Sequence, residues 1–173
     1  MLSALAALLL SGFLTYAGAP SAEDVLAPAE TKAGVEHKAV FVHFGASWCG
    51  WCKRLDAFLD RPDIKPVFER YFIPVKLVVQ ENEKNRALEN PGAEALLHKL
   101  GGPGGLPYSA FLDAHGNLIV NSNLDGQPGR NIGYPGQPEE IAWFIKMMKK
   151  AAPGMTEADL GTIEAALGSF KRT

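Results

Sequence analysis

The stretch FVHFGASWCGWCKRLDAFL, residues 41–59, constrains the fold more than any other part of the chain. It holds the only two cysteines, Cys49 and Cys52, each preceded by a tryptophan. Upstream, residues 39–44 (AVFVHF) are β-branched and aromatic, the composition of a short buried strand. Downstream, Trp51, Leu55, Phe58 and Leu59 recur at three- and four-residue steps, which predicts a helix with one apolar face. The cysteines therefore stand where a strand turns into a helix. One helical turn brings their sulfurs together. A disulfide closing so small a loop contributes little by the loop-entropy account, so the pair is built to open and close rather than to staple distant segments.

Position supplies reactivity. Cys49 falls at the helix N-terminus, where unpaired N–H groups and the dipole favour a thiolate; cysteines in such places have pKa values lowered to roughly 3.5–7.5. Cys49 is the expected nucleophile and Cys52, one turn in, the resolving thiol. Gly50 lets another chain approach, and Trp48 and Trp51 offer apolar faces. Lys53 and Arg54 add positive charge or are simply solvated. Other readings of two cysteines remain. A structural zinc site needs four ligands, and His37, His43, His98 and His115 show no paired ligand spacing. Haem attachment needs His after the second cysteine, where Lys53 stands. A purely structural disulfide is a third reading. The expected chemistry needs no cofactor, because the cysteines carry the electrons.

The 173 residues suit one domain. A formal net charge of −2 gives no electrostatic case for nucleic acid. Residues 1–19 carry no charged side chain and read as a secretory signal peptide or an N-terminal anchor. Residues 20–38 read as a linker leading into a weak helix or loop. After the Cys helix, Asp63 is a candidate N-cap for a short helix bearing Ile64, Val67, Phe68 and Tyr71. Residues 71–79 read as a strand whose Pro74 suggests an edge or a bulge. A polar loop with a helical turn (80–89), a helix after Pro91-Gly92, a strand (108–112), a turn and a strand (118–121) follow. A Gly/Pro/Asn-rich loop (125–136) leads to a helix opened by Pro138, with Ile141, Phe144, Ile145 and Met148 as its stripe. Thr156 and Asp159 start a last helix running to Phe170. This order implies an α/β fold with a mixed sheet and helices on both faces.

The segment FVHFGASWCGWCK resembles the active-site strand, loop and helix of the thioredoxin-like superfamily. The segment GLPYSAFLD (105–113), followed by Gly116, resembles that family's cis-proline strand and hairpin. Gly133-Tyr134-Pro135 resembles its glycine-containing loop before the final helix. The likeness spans about residues 39–151. It implies a thioredoxin-like domain over 39–152, with an added C-terminal helical extension over 153–173. It further implies that Pro107 is cis and lies against the cysteines, and that the Leu106 backbone pairs with a bound substrate chain. Two features depart from the family pattern. Gly-Trp stands between the cysteines instead of Gly-Pro. His43 stands where typical thioredoxins carry a buried acid; it is either a proton relay or a hydrogen-bonded core histidine. The site read from sequence is thus Cys49 and Cys52, supported by Trp48, Gly50, Trp51 and His43, with Leu106 and Pro107 binding substrate. The expected function is that of an exported thiol–disulfide oxidoreductase, chiefly reducing protein disulfides. Its partners are protein or small-molecule disulfides and thiols, and a membrane or soluble electron donor or acceptor. Membrane contact is expected only if residues 1–19 are retained. Rival readings are a binding or chaperone module with a static disulfide, and a metallochaperone.

Overall fold

The computed structural model describes residues 18–102 and 105–169. The signal or anchor expectation falls mainly on residues 1–17, outside the described residues, as does Phe170.

Strand β1 (Ala39–Gly45) is buried along its whole length because it lies between two neighbours. It pairs parallel with β2 (Phe72–Val78) and antiparallel with β3 (Tyr108–Leu112), and β3 pairs antiparallel with β4 (Leu118–Asn121). The order β2-β1-β3-β4 makes a mixed four-stranded sheet. Pro74 sits exposed on β2, an edge strand, where its missing N–H breaks no ladder bond.

The two-residue period of β1 sends alternate side chains to opposite faces. Val40, Val42 and Phe44 join Val75, Leu77, Ala110 and Leu112 on one face, under α1 (Ala22–Glu36) and α4 (Ala93–Lys99). Ala39 and Phe41 join Phe72 and Phe111 on the other. There they meet α2 (Gly50–Leu59), α3 (Lys65–Phe68), α5 (Pro138–Ala151) and α6 (Glu157–Gly168). This second core is rich in aromatic pairs: the Phe41 ring lies 4.9 Å from Phe111 and 5.1 Å from Phe68. His43 follows the same alternation onto the α2 side.

Three expectations need correction. Residues 22–36, read as a linker leading into a weak helix or loop, are no linker: they form a 15-residue helix packed on the sheet through Ala22, Leu26, Ala29 and Ala33. Ser21 caps it: its Oγ accepts from Asp24 N–H at 3.1 Å, and the Asp24 carboxylate accepts from Ser21 N–H. Asp63 does not cap α3. Ile64 holds that position, and Asp63 instead accepts from Arg61 Nε and Nη2, at 2.9 and 2.7 Å. Trp51 does not join the buried face of α2. Cys52, Leu55 and Phe58 form that face, while Trp51 is 42% exposed. Thr156 does cap α6, accepting from Asp159 N–H at 3.1 Å.

Candidate active site

Cys49 and Cys52 form a disulfide, with S–S 2.08 Å and Cα–Cα 5.3 Å. Cys49 is the N-cap of α2, and its own sulfur accepts from the Cys52 N–H at 3.1 Å. The amide that would otherwise be an orphan of the helix start is thus aimed at the Cys49 sulfur. Negative charge arriving there on reduction meets a donor already in place. Both sulfurs lie under the surface, Cys52 fully buried and Cys49 nearly so, beside an exposed rim of Trp48 (55%) and Trp51 (42%). Ala46 and half-buried Leu106 pack on the pair.

Gly45, the last residue of β1, makes this packing possible. A Cβ there would stand 3.1 Å from Cys52 Cβ and 3.2 Å from its sulfur.

The Leu106–Pro107 peptide is cis, and the segment around it is tied down by a residue not singled out from sequence. Asn131 Nδ2 donates to Gly105 O at 2.8 Å and to Pro107 O at 3.0 Å. Its Oδ1 accepts from Ser122 Oγ at 2.7 Å and from Gly133 N–H at 3.1 Å. One amide therefore locks the proline loop to the Gly133 loop. Gly133 is in the left-handed region (φ 62°), and a Cβ there would touch Pro107 Cδ at 4.0 Å. A small cleft of about 110 Å³ lies here, walled by Trp51, Leu106, Gly133 and Tyr134. Tyr134 stacks on Trp51 at 6.0 Å, and the Arg54 guanidinium lies over both rings at 5.8 and 5.6 Å. Burial raises the Tyr134 hydroxyl above its ordinary pKa, against the pull of Arg54.

His43 is buried, and its Nε2 bonds Asp56 Oδ1 at 2.8 Å. Asp56 Oδ2 accepts from Lys76 Nζ at 2.5 Å. Burial opposes the Asp56 charge, but the bonds from His43 and Lys76 prevail and hold its carboxyl below the usual carboxylate range. The ionised Asp56 only accepts, so His43 donates from Nε2, and its buried Nδ1 has no partner. Asp56 lies four residues after Cys52, one turn along the same helix face. Asp56 is thus the acidic side chain on that face of α2, with His43 bonded to it. Its place was readable from the i+4 spacing, although sequence reading did not single it out.

On the opposite side, the Ser47 N–H and Ser47 Oγ–H both donate to the Glu81 carboxylate, the latter at 2.7 Å. Trp48 Nε1 donates to Gln80 O at 2.7 Å. No local sequence signal pairs residue 47 with residue 81. Among the described residues, no group of three or more His, Cys, Asp or Glu side chains is arranged to hold a metal ion.

A family model described as thioredoxin-like matches residues 22–114. The chain belongs to the thioredoxin-like family. The match begins at α1, which places that helix within the family domain. Among solved structures, a disulphide isomerase from Xylella fastidiosa Temecula1 superposes on this thioredoxin-like chain with TM-score 0.52 at 20% identity. That alignment covers 88% of this chain and 94% of the isomerase, a likeness of fold. The DsbH oxidoreductase aligns with TM-score 0.47 at 18% identity over 94% of both chains. The C-terminal domain of Neisseria meningitidis DsbD, in its oxidised form, aligns with TM-score 0.42 at 24% identity, over 61% of this chain and 84% of that domain. No curated protein matches the sequence.

Proposed function

We propose that this thioredoxin-like chain is an exported thiol–disulfide oxidoreductase that chiefly reduces protein disulfides. The observation that carries the reading is the placement of the Cys49–Cys52 disulfide at the start of α2, with the Cys52 amide aimed at the Cys49 sulfur and an open aromatic rim beside it. In the reduced protein the Cys49 thiolate attacks one sulfur of a substrate disulfide. A Cys49–substrate bond forms, the substrate S–S bond breaks, and the other substrate sulfur leaves as a thiolate. Cys52 gives up its proton and attacks Cys49. The internal disulfide closes, and the second substrate sulfur leaves. Two electrons pass from the cysteine pair to the substrate, whose two thiolates take up two protons. His43, whose Nδ1 has no partner, and Asp56, bonded to its Nε2, are the proposed acceptors of the Cys52 proton. A donor dithiol, soluble or in the membrane, returns the pair to its reduced state.

An extended substrate segment fits along Leu106 and Pro107, adding a strand beside the half-buried Leu106. Trp48, Trp51 and Gly50 border the sulfurs. Export rests on the uncharged apolar residues 1–19, as a cleaved signal or a retained anchor. No described helix is long and apolar enough to cross a membrane.

Cys52→Ser, incubated with a disulfide-bonded protein substrate, should accumulate a mixed disulfide through Cys49, and Cys49→Ser should neither trap nor turn over substrate. Full biological activity of Cys49→Ser would instead establish a binding module with a static disulfide.

A further inference from the structure

Among the described residues the exchange mechanism leaves unused a buried carboxyl group, Glu81, which is 7% exposed and holds the loop that delivers the nucleophile. Its carboxylate takes both donors of Ser47, and Asn85 Nδ2 donates to the same Ser47 Oγ at 2.9 Å. Glu81 cannot swing away freely. Its own N–H donates to Glu89 Oε1 at 2.8 Å. The preceding Gln80 sits in the left-handed region (φ 55°), with its carbonyl engaged by Trp48. Cys49 follows Ser47 by two residues in a turn closed by the Cys49 N–H to Ala46 O bond of 3.0 Å. Two peptide units span at most about 7.6 Å between Cα atoms, and the Glu81 carboxyl group is hydrogen-bonded to the backbone two residues before the attacking cysteine. The donors the structure gives that carboxylate are neutral, and among the described residues no cation forms an ion pair with it.

We propose that Glu81 is a positioning residue that also sets the redox character of the pair. Its carboxylate opposes the Cys49 thiolate, destabilises the reduced form relative to the disulfide, and so biases the protein toward giving electrons away. The other ionisable groups around the pair are Lys53, Arg54 and Asp56 on α2, His43 on β1, Lys76 on β2, Tyr134 beside Trp51, and Glu89 behind Glu81. Each stays unchanged when Glu81 alone is altered. This inference deepens the proposed function and rests on Cys49 being its nucleophile.

Glu81→Gln separates charge from geometry. Glutamine keeps an acceptor for the Ser47 N–H and a polar partner for Ser47 Oγ, but it carries no charge. The readouts are the pH profile of iodoacetamide alkylation of reduced protein and the reduction potential. Glu81→Gln should move the Cys49 profile to lower pH, speed alkylation at pH 7 by about threefold or more, and make the potential less negative. Ser47→Ala, which loses the Ser47 Oγ bonds to Glu81 and Asn85 but keeps the Ser47 N–H bond and the carboxylate, should leave the profile near wild type. A folded Glu81→Gln with wild-type profile and potential would overturn the inference while leaving the oxidoreductase intact. A wild-type Cys49 that is not alkylated after reduction would overturn the function itself. If Glu81→Gln does not fold, the wild-type side-chain carboxyl ¹³C signal of Glu81 decides. It should shift as Cys49 titrates and lose that step in Cys49→Ser; an unresponsive signal would overturn the inference.

Discussion

At the residue scale, Gly45 leaves no room for a side chain against Cys52. Gly45→Ala inserts a methyl group against a fully buried sulfur on a helix that cannot retreat from the sheet. It should cost roughly 1–3 kcal/mol of stability in the oxidised protein, measured by urea unfolding. Asp56 makes a pH prediction. Its carboxyl titrates lower in the folded chain than in the unfolded one, so its stabilisation is complete above the ordinary carboxylate pKa of about 3.9 and is lost as pH falls through the folded value. Wild type should therefore lose thermal stability on acidification more steeply than Asp56→Asn, read as the melting temperature from pH 6 to pH 3. Parallel curves would contradict the pairing with His43 and Lys76. Asn131→Ala removes four hydrogen bonds at once. It should raise the KM for a protein disulfide far more than it lowers kcat, because the proline loop loses its tie while the cysteines keep their geometry. An unchanged KM would mean that loop does not dock substrate.

At the element scale, legibility followed the strength of the local signal. The strands at 108–112 and 118–121 and the helix at 138–151 have the bounds that their short apolar runs, turn residues and apolar stripe suggest. Helix α1 was the failure. Its buried positions 22, 26, 29 and 33 keep helical spacing, but three are alanines, too weakly apolar to stand out in an Ala-rich stretch. The Ser21–Asp24 capping box was the usable sign. Small side chains there let the helix lie close on the sheet, leaving Leu26 as its one large buried group. Leu26→Ala should destabilise the protein by about 2–4 kcal/mol, measured by chemical denaturation. A change below about 0.5 kcal/mol would mean α1 is no integral layer of the domain. Asp63 misled because a good N-cap residue preceded the helix, while Arg61, two residues away, offered its carboxylate two charged donors.

At the scale of the whole molecule, the motif at residues 41–59 announced both the fold and the reacting atoms, since a strand-to-helix turn carrying two cysteines leaves little freedom in either. The surroundings of those atoms were less readable. Asp56 could have been placed from helical spacing. Glu81 and Asn131 reach the site from loops separated from their partners by 34 and by 24–26 residues, so nothing local marks them. The sheet brings these loops to the end of β1, beside the Cys49–Cys52 disulfide and the cis-proline loop.

The deciding measurement is the reduction potential of the Cys49–Cys52 pair, titrated against dithiothreitol or glutathione and read by thiol trapping. A reducing pair is expected, near the thioredoxin value of about −270 mV. A value of about −120 to −180 mV would contradict the direction of electron flow. A disulfide that strong dithiothreitol leaves closed would contradict the catalytic role of the pair altogether.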